Sequence, residues 1–289
     1  MKKQIWSSLS LFTIAAMILI AQPVIASAGI FDNDPNPPAV IDDTIEPPSL
    51  ESLQNLPSSG KKADNKMPVD IRKDALKEAA FSYGARGGLA WRTWHIRKTL
   101  DQRGNYLDKI FNFRALLIAA PSGFLMEPPI ISESIDNMLI EAGGQTAAVA
   151  DTIFNINKNV EIVSAPRHWR QYLDRDWGAI DPPPDVLKPN SEDERAIWKE
   201  HVAKGWTEGL AQADDVFEMD LNALVADFNG MVRYRKLLAQ GMITPPFTKQ
   251  VDRGITGDGS FARIGDRAVA ITDIPQLVTG SEIWRPASQ

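Results

Sequence analysis

Cysteine is missing from this chain altogether, and histidine occurs only three times. The first absence rules out disulfides, thiolate metal ligands and an N-terminal lipid-modified cysteine. Stability must then come from packing, and any membrane attachment from contacts. The second leaves His95, His168 and His201 isolated, with no His-x-x-x-His pair to start a metal site. Other chemistry-bearing patterns are also absent. No Gly-x-Ser-x-Gly elbow occurs, and "GITGDGS" (254–260) has the wrong glycine spacing for a dinucleotide fingerprint and leads toward a strand. No cofactor, metal or catalytic residue is expected. Positive charge is in deficit too, at a formal net charge of −6 over 289 residues, so nucleic acid is not an expected partner.

What is present falls into three parts. Lys2 and Lys3, the apolar run Leu11–Ile20 and the small residues Ala26-Ser27-Ala28 have the layout of a secretory signal peptide over residues 1–28. Its removal would take the formal charge from −6 to −8 by deleting two lysines and no acid. Residues 29–68 hold seven prolines among Asp, Asn, Ser and Gly, and read as a disordered linker, long enough to extend about 130 Å at ~3.3 Å per residue. Ser58-Ser59-Gly60-Lys61 matches Ser-x-x-Lys but lies in that linker, where no pocket would activate the serine. Residues 69–289 carry enough apolar side chains for a folded domain.

Within that domain the periodicity is mostly helical. Asp70 is a plausible N-cap for a helix with Leu76, Ala80, Tyr83, Gly87, Trp91 and Trp94 on one face. Gly84, Gly87 and Gly88 would each weaken it, so either it bends there or another backbone packs closely; close packing is the reading preferred. "YLDKIFNFRALLIAA" (106–120) suggests a second helix, ended by Pro121–Pro129. "TAAVADTIFNINKNVEIVSAP" (146–166) suggests a hairpin turning at Asn157-Lys158-Asn159. Ser191 with Glu194 forms a capping box, after which apolar residues from Trp198 to Leu238 keep a step of about 3.6. That predicts one very long amphipathic helix, or two in line, closing at Gly241 before Pro245-Pro246. The tail reads as a glycine-rich turn and short strands. The class is α+β, a helix-dominated single domain with long amphipathic helices and a small β-hairpin or sheet.

Arg233, Arg235 and Lys236 fall in the last turns of the long helix, where its dipole favours cations, and Pro245-Pro246 would present Phe247 on a stiff backbone. Trp91, Trp94, Trp198 and Trp206 lie on apolar helix stripes and read as core, whereas Trp169 and Trp177 in loops are candidate interface anchors. Among the acids, Glu127, Glu133, Asp174, Asp176 and Glu208 would have to converge in space to hydrolyse a glycan.

The segments "GLAWRTWHI" (88–96), "LDKIFNF" (107–113), "SAPRHWRQYL" (164–173), "AIWKEHVAKGWTEGLAQAD" (196–214), "GMVRYRKLLAQGMITPPF" (230–247) and "GITGDG" (254–259), in that order, resemble the DotC family over about residues 70–286. That family belongs to the outer-membrane core complex of type IVB secretion systems and related conjugative-plasmid machines. The resemblance implies a non-enzymatic structural subunit, exported to the periplasm, assembling in a multi-copy ring with DotH-like and DotD-like subunits and helping place the former at the outer membrane. It departs from the family in one respect: family members carry a lipidated cysteine, and this chain has none, so its association with the outer membrane would run through partners. The competing expectation is a periplasmic peptidoglycan-cleaving or peptidoglycan-binding accessory protein.

Overall fold

A single helix, α5, Glu192–Ala239, runs unbroken for 48 residues, about 72 Å at ~1.5 Å per residue, and most of the other helices and one strand pair pack along it. The computed structural model describes residues 45–57, 69–120, 123–140 and 147–285, all within a unit spanning Ile41–Gln289. The signal-peptide segment, Ser58–Lys61 and Gly143-Gly144 lie outside the described residues.

Local signals account for both ends of α5. Ser191, extended at φ −118°, accepts from the Glu194 backbone N–H at 3.2 Å, and the Glu194 carboxylate accepts from the Asn190 N–H at 2.8 Å. At the other end Gly241 takes φ +71°; its N–H donates to the Leu238 carbonyl at 3.1 Å and the Met242 N–H to Leu237 at 2.9 Å. That is a Schellman stop, and only the missing Cβ makes its left-handed residue free of strain.

Helix α2, Val69–Gln102, lies against α5. It starts two residues earlier than an Asp70 cap implies, so Asp70 sits in the first turn rather than at the cap. Its glycines answer the question of bending against packing. A Cβ on Gly84 would run into the Val202 carbonyl and one on Gly88 into the Trp206 carbonyl, while Gly205 and Gly209 of α5 face the carbonyls of Phe81 and Ala85. Each helix thus offers a Gly-x-x-x-Gly pair into which the other's backbone fits, and backbone meets backbone at a spacing no side chain allows. Arg72 locks the ends of the pair: its Nε donates to Glu194 Oε1 at 2.8 Å and its Nη2 to Oε2 at 3.1 Å, with the guanidinium 8% and the carboxylate 15% exposed. That arginine holds the Glu194 carboxyl below the usual carboxylate range, against the opposing effect of burial.

Three apolar clusters follow α5 in series. The first joins Leu76, Ala80, Tyr83, Trp198, Val202 and Trp206 with Leu53. Leu53 belongs to α1, Leu50–Gln54, inside the stretch that composition assigns to the linker. Residues 45–57 are instead docked: Leu53 is 1% exposed, its carbonyl accepts from Trp198 Nε1 at 3.1 Å, and Gln54 Nε2 donates to the Lys199 carbonyl at 3.1 Å. One fully buried leucine, about 1.5–3 kcal/mol of transfer free energy, is enough to hold so short a helix, and a compositional average over 40 residues hides it. The second cluster gathers Leu100, Phe113, Trp169, Leu173, Leu224 and Met231. The third gathers Ile131, Tyr234, Leu237 and Ile243.

The region expected to be one helix over 106–120 is three short pieces: α3, Gly104–Ile110; a 3₁₀ turn, Phe113–Leu116, capped by Asn112; and β1, Ile118–Ala119. Strand pairing also differs from expectation. β4, Ala147–Lys158, does not fold back on Glu161–Val163. It pairs antiparallel with β3, Ile130–Ile140, while β5, Glu161–Val163, joins β2, Leu125–Glu127, and β1 in a separate small sheet. Asn157–Asn159 therefore changes sheets rather than turning a hairpin. A third pair, β6, Phe247–Asp258, and β7, Phe261–Asp273, forms a long hairpin in place of the short strands expected. The fold is α+β, with helix predominant.

Candidate functional site

The C-terminal end of α5 is where the basic residues and the proline exit come together. Arg233 reaches back to β3: its Nη1 donates to the Ile131 carbonyl at 2.6 Å and its Nε to Glu133 at 2.9 Å. Gly230, one turn earlier, lets β3 approach, since a Cβ there would sit 2.6 Å from Ile130 Cγ2. Arg233 is thus a strap between helix and hairpin, and only part of it meets solvent. Arg235 donates to the Leu117 carbonyl at 3.0 Å while staying exposed, and Lys236 is exposed.

Beyond Gly241 the chain is clamped before it leaves the body. Ile243 is 2% exposed and bridges Leu277; the Thr244 N–H donates to the Gln276 carbonyl at 2.9 Å, and the Val278 N–H to Met242 at 2.9 Å. Pro245 and Pro246, which have no N–H to satisfy, then lead directly into β6, whose first residue, Phe247, is 56% exposed. "ITPPF" is therefore the stem of a hairpin.

Two recesses flank this end. One, of ≈ 420 Å³, lies between α5 and the β3–β4 pair, with Ile130, Ile131, Glu133, Asn157, Asp227 and Arg233 in its lining. The other, of ≈ 410 Å³, is lined by Phe154, Met242, Leu277 and Trp284.

The tryptophans proposed as anchors are not at this end. Trp169 is 1% exposed within the second cluster, its Nε1 donates to Asp108 at 2.7 Å and the Arg170 guanidinium lies 4.5 Å over its ring, so it offers no surface to a partner. Trp177 is half-buried in the loop between α4, Arg170–Leu173, and α5. Of the helix tryptophans, Trp198 and Trp206 are buried, while Trp91 and Trp94 are half-buried and meet the His95 ring, tilted and edge-on respectively.

Sequence reading missed a hub centred on Arg167. Its Nη1 donates to Asp227 at 2.6 Å and to the Tyr172 hydroxyl at 2.7 Å, its Nε lies 2.5 Å from the buried Glu127 carboxylate, and the Tyr172 hydroxyl donates to Asp227 at 2.7 Å. Burial, aided by that bond to Asp227 and opposed by Arg167, pushes the Tyr172 phenol up to about 12. The "SAPRHWRQYL" segment holds both Arg167 and Tyr172; their acidic partners lie 40 and 55 or more residues away, so no local pattern could pair them.

Four of the five acids considered for glycan chemistry face arginines. Glu127 faces Arg167 and Glu133 faces Arg233, while Asp174 and Asp176 both face Arg97; Glu208 is exposed on α5. His168 bonds Asp108 at 3.1 Å rather than joining Asp174 and Asp176. Among the described residues no group of three or more His, Asp or Glu is placed to hold a metal, and no helix is long and apolar enough to cross a membrane.

A glycine-packed helix pair carrying two antiparallel hairpins at the C-terminal end of its longer helix defines an α+β protein whose described polar groups serve mainly to tie elements together. Residues 70–286 match the model of the family described as type IV secretory system, conjugal DNA-protein transfer, and the chain belongs to that family. It is a component type of type IV secretion and conjugation. The comparison with curated proteins gave no match.

Proposed function

We propose that this protein is a non-enzymatic structural subunit of the outer-membrane core complex of a type IVB secretion or conjugation apparatus, of the DotC kind. In this reading it is exported to the periplasm, assembles in several copies with DotH-like and DotD-like subunits, helps place the DotH-like subunit, and reaches the outer membrane through those partners. The observation that carries the reading is the family match over residues 70–286, which spans α2, α5 and both hairpins. Two properties support its finer parts. The net charge of −6 disfavours a direct grip on the transferred DNA. The exposed Phe247, Arg235 and Lys236 lie close together along the chain where α5 ends and β6 begins, and form the partner contact.

Fractionation of the native envelope, with and without the DotH-like and DotD-like partners, tests the placement. The protein is expected to leave the outer-membrane fraction for the soluble periplasm when the partners are deleted; a protein that is soluble in both strains is not a core-complex subunit. For the contact itself, Phe247→Ala with Arg235→Ala should leave the monomer folded and lower partner co-purification by about tenfold or more, as loss of one aromatic anchor does. Undiminished co-purification of a folded double variant excludes this surface.

A further inference from the structure

The β6–β7 hairpin stands apart from the rest of the protein in its packing. Its strands, of 12 and 13 residues, pair with each other, and among the described residues only Ile271 near the stem joins an apolar cluster of the body. Farther out, Val251, Ile255, Phe261 and Ile264 are exposed, Ile264 at 84% and its cross-strand partner Ile255 at 72%. A two-stranded ribbon with a solvated face is marginally stable in water, and both of its outer edges leave backbone N–H and C=O groups without a strand partner among the described residues. No proline interrupts either strand, so nothing blocks an added strand.

Its charge and its register narrow the occupant. Between Phe247 and Asp273 there are four cations and four anions, a net charge of zero in a chain of −6, so the hairpin suits neither a polyanion nor an acidic surface. One opposite-charge pair and two apolar pairs are in register: Asp252 lies opposite Arg267, Val251 opposite Ala268 and Ile255 opposite Ile264. Those pairs, Asp252 with Arg267 and Ile255 with Ile264, are available equally when the second strand comes from another copy. Each strand carries an extra residue near the middle, with Gly254 at φ +68° and Gly265 at φ +72°. Such paired bulges bend and coil a ribbon, as closing sheets require.

We propose that β6–β7 is the contact between copies of this chain: the outer edge of β7 in one copy takes up β6 of the next, antiparallel, in the register used within the hairpin. Head-to-tail addition covers both edges of every interior copy and can close into a ring, whereas an isologous β6–β6 pair leaves both β7 edges bare. The inference names the contact behind the multi-copy part of the function proposed above and rests on it to that extent.

The absence of cysteine makes the test clean, because every thiol introduced is the only one in its chain. Full-length chains with Ile255→Cys and Ile264→Cys, carrying different tags, are expressed together or singly and oxidised mildly with Cu(II)–phenanthroline. Strand partners directly opposite each other lie within disulfide reach, so the mixture should yield about tenfold more cross-linked dimer than either chain alone or an exposed control, Glu208→Cys. Sedimentation at rising concentration supplies a second readout: the otherwise native chain should self-associate, and Ile255→Asp with Ile264→Asp should abolish this without changing the unfolding midpoint. Cross-linking of either single-cysteine chain to itself as strongly as the mixture, no cross-link above the control, or unchanged self-association in the aspartate variant each overturns the proposal. Retained outer-membrane fractionation alongside any of those results would discard the strand-addition contact while leaving the functional reading intact.

Discussion

Tyr234 shows how burial acts on one residue. Its ring is fully buried among Ile131, Leu237 and Ile243, and its hydroxyl has no hydrogen-bond partner among the described residues. An unpaired buried hydroxyl costs about 1–3 kcal/mol of desolvation, so Tyr234→Phe should be neutral or raise the unfolding free energy by about 1 kcal/mol in denaturant titration. The same burial pushes the phenol up to about 12. In the unfolded chain it ionises near 10, so between pH ~10 and ~12 the unfolded state sheds its proton first and stability falls as pH rises. Tyr234→Phe should shallow that alkaline decline, measurable as the slope of unfolding free energy against pH. Trp169 carries the opposite lesson: its bonded indole and buried ring make it a structural residue despite its place in a loop.

The decisive contact between elements is the glycine packing of α2 on α5. Gly205→Ala would add up to ~1 kcal/mol of helix propensity in isolation. In place, the new methyl meets the Phe81 carbonyl, a backbone atom that cannot swing aside. Overpacking of this kind costs about 1–3 kcal/mol, so the sign reverses and the variant should unfold at lower denaturant than the parent. The presence of glycines in α2 was legible in the sequence, and so was the choice of close packing over bending. What was not legible was which glycines on α5 would meet them, because Gly205, Gly209 and Gly230 look alike along the chain while Gly230 receives β3 instead.

For the molecule as a whole, the body and the β6–β7 hairpin are energetically separable. The body rests on three clusters in series along α5, and the hairpin adds Ile271 to a fourth, small one. Thr248 and Ile271 are cross-strand partners, so a two-residue Gly-Gly link can replace residues 249–270 with the stem intact. The shortened chain should still unfold cooperatively with a Tm within about 4 °C of the parent, the shift expected from a loss of order 1 kcal/mol. It should also be monomeric by sedimentation and fail to support conjugal transfer. A large fall in Tm would show that the hairpin belongs to the core.

By itself the sequence determined the features that act within a turn or two of the chain. These are the α5 stripe, its Ser191–Glu194 start and Gly241 stop, the helical course of α2, and the predominance of helix in an α+β protein. Only the tertiary structure decided that residues 45–57 dock, that β4 pairs with β3 rather than β5, that Trp169 turns inward, and that Arg167 gathers Glu127, Tyr172 and Asp227. Caps and periodicity depend on neighbours three or four residues away and are written locally. Pairing, docking and burial depend on residues tens of positions apart, and are settled by which surfaces exclude water together.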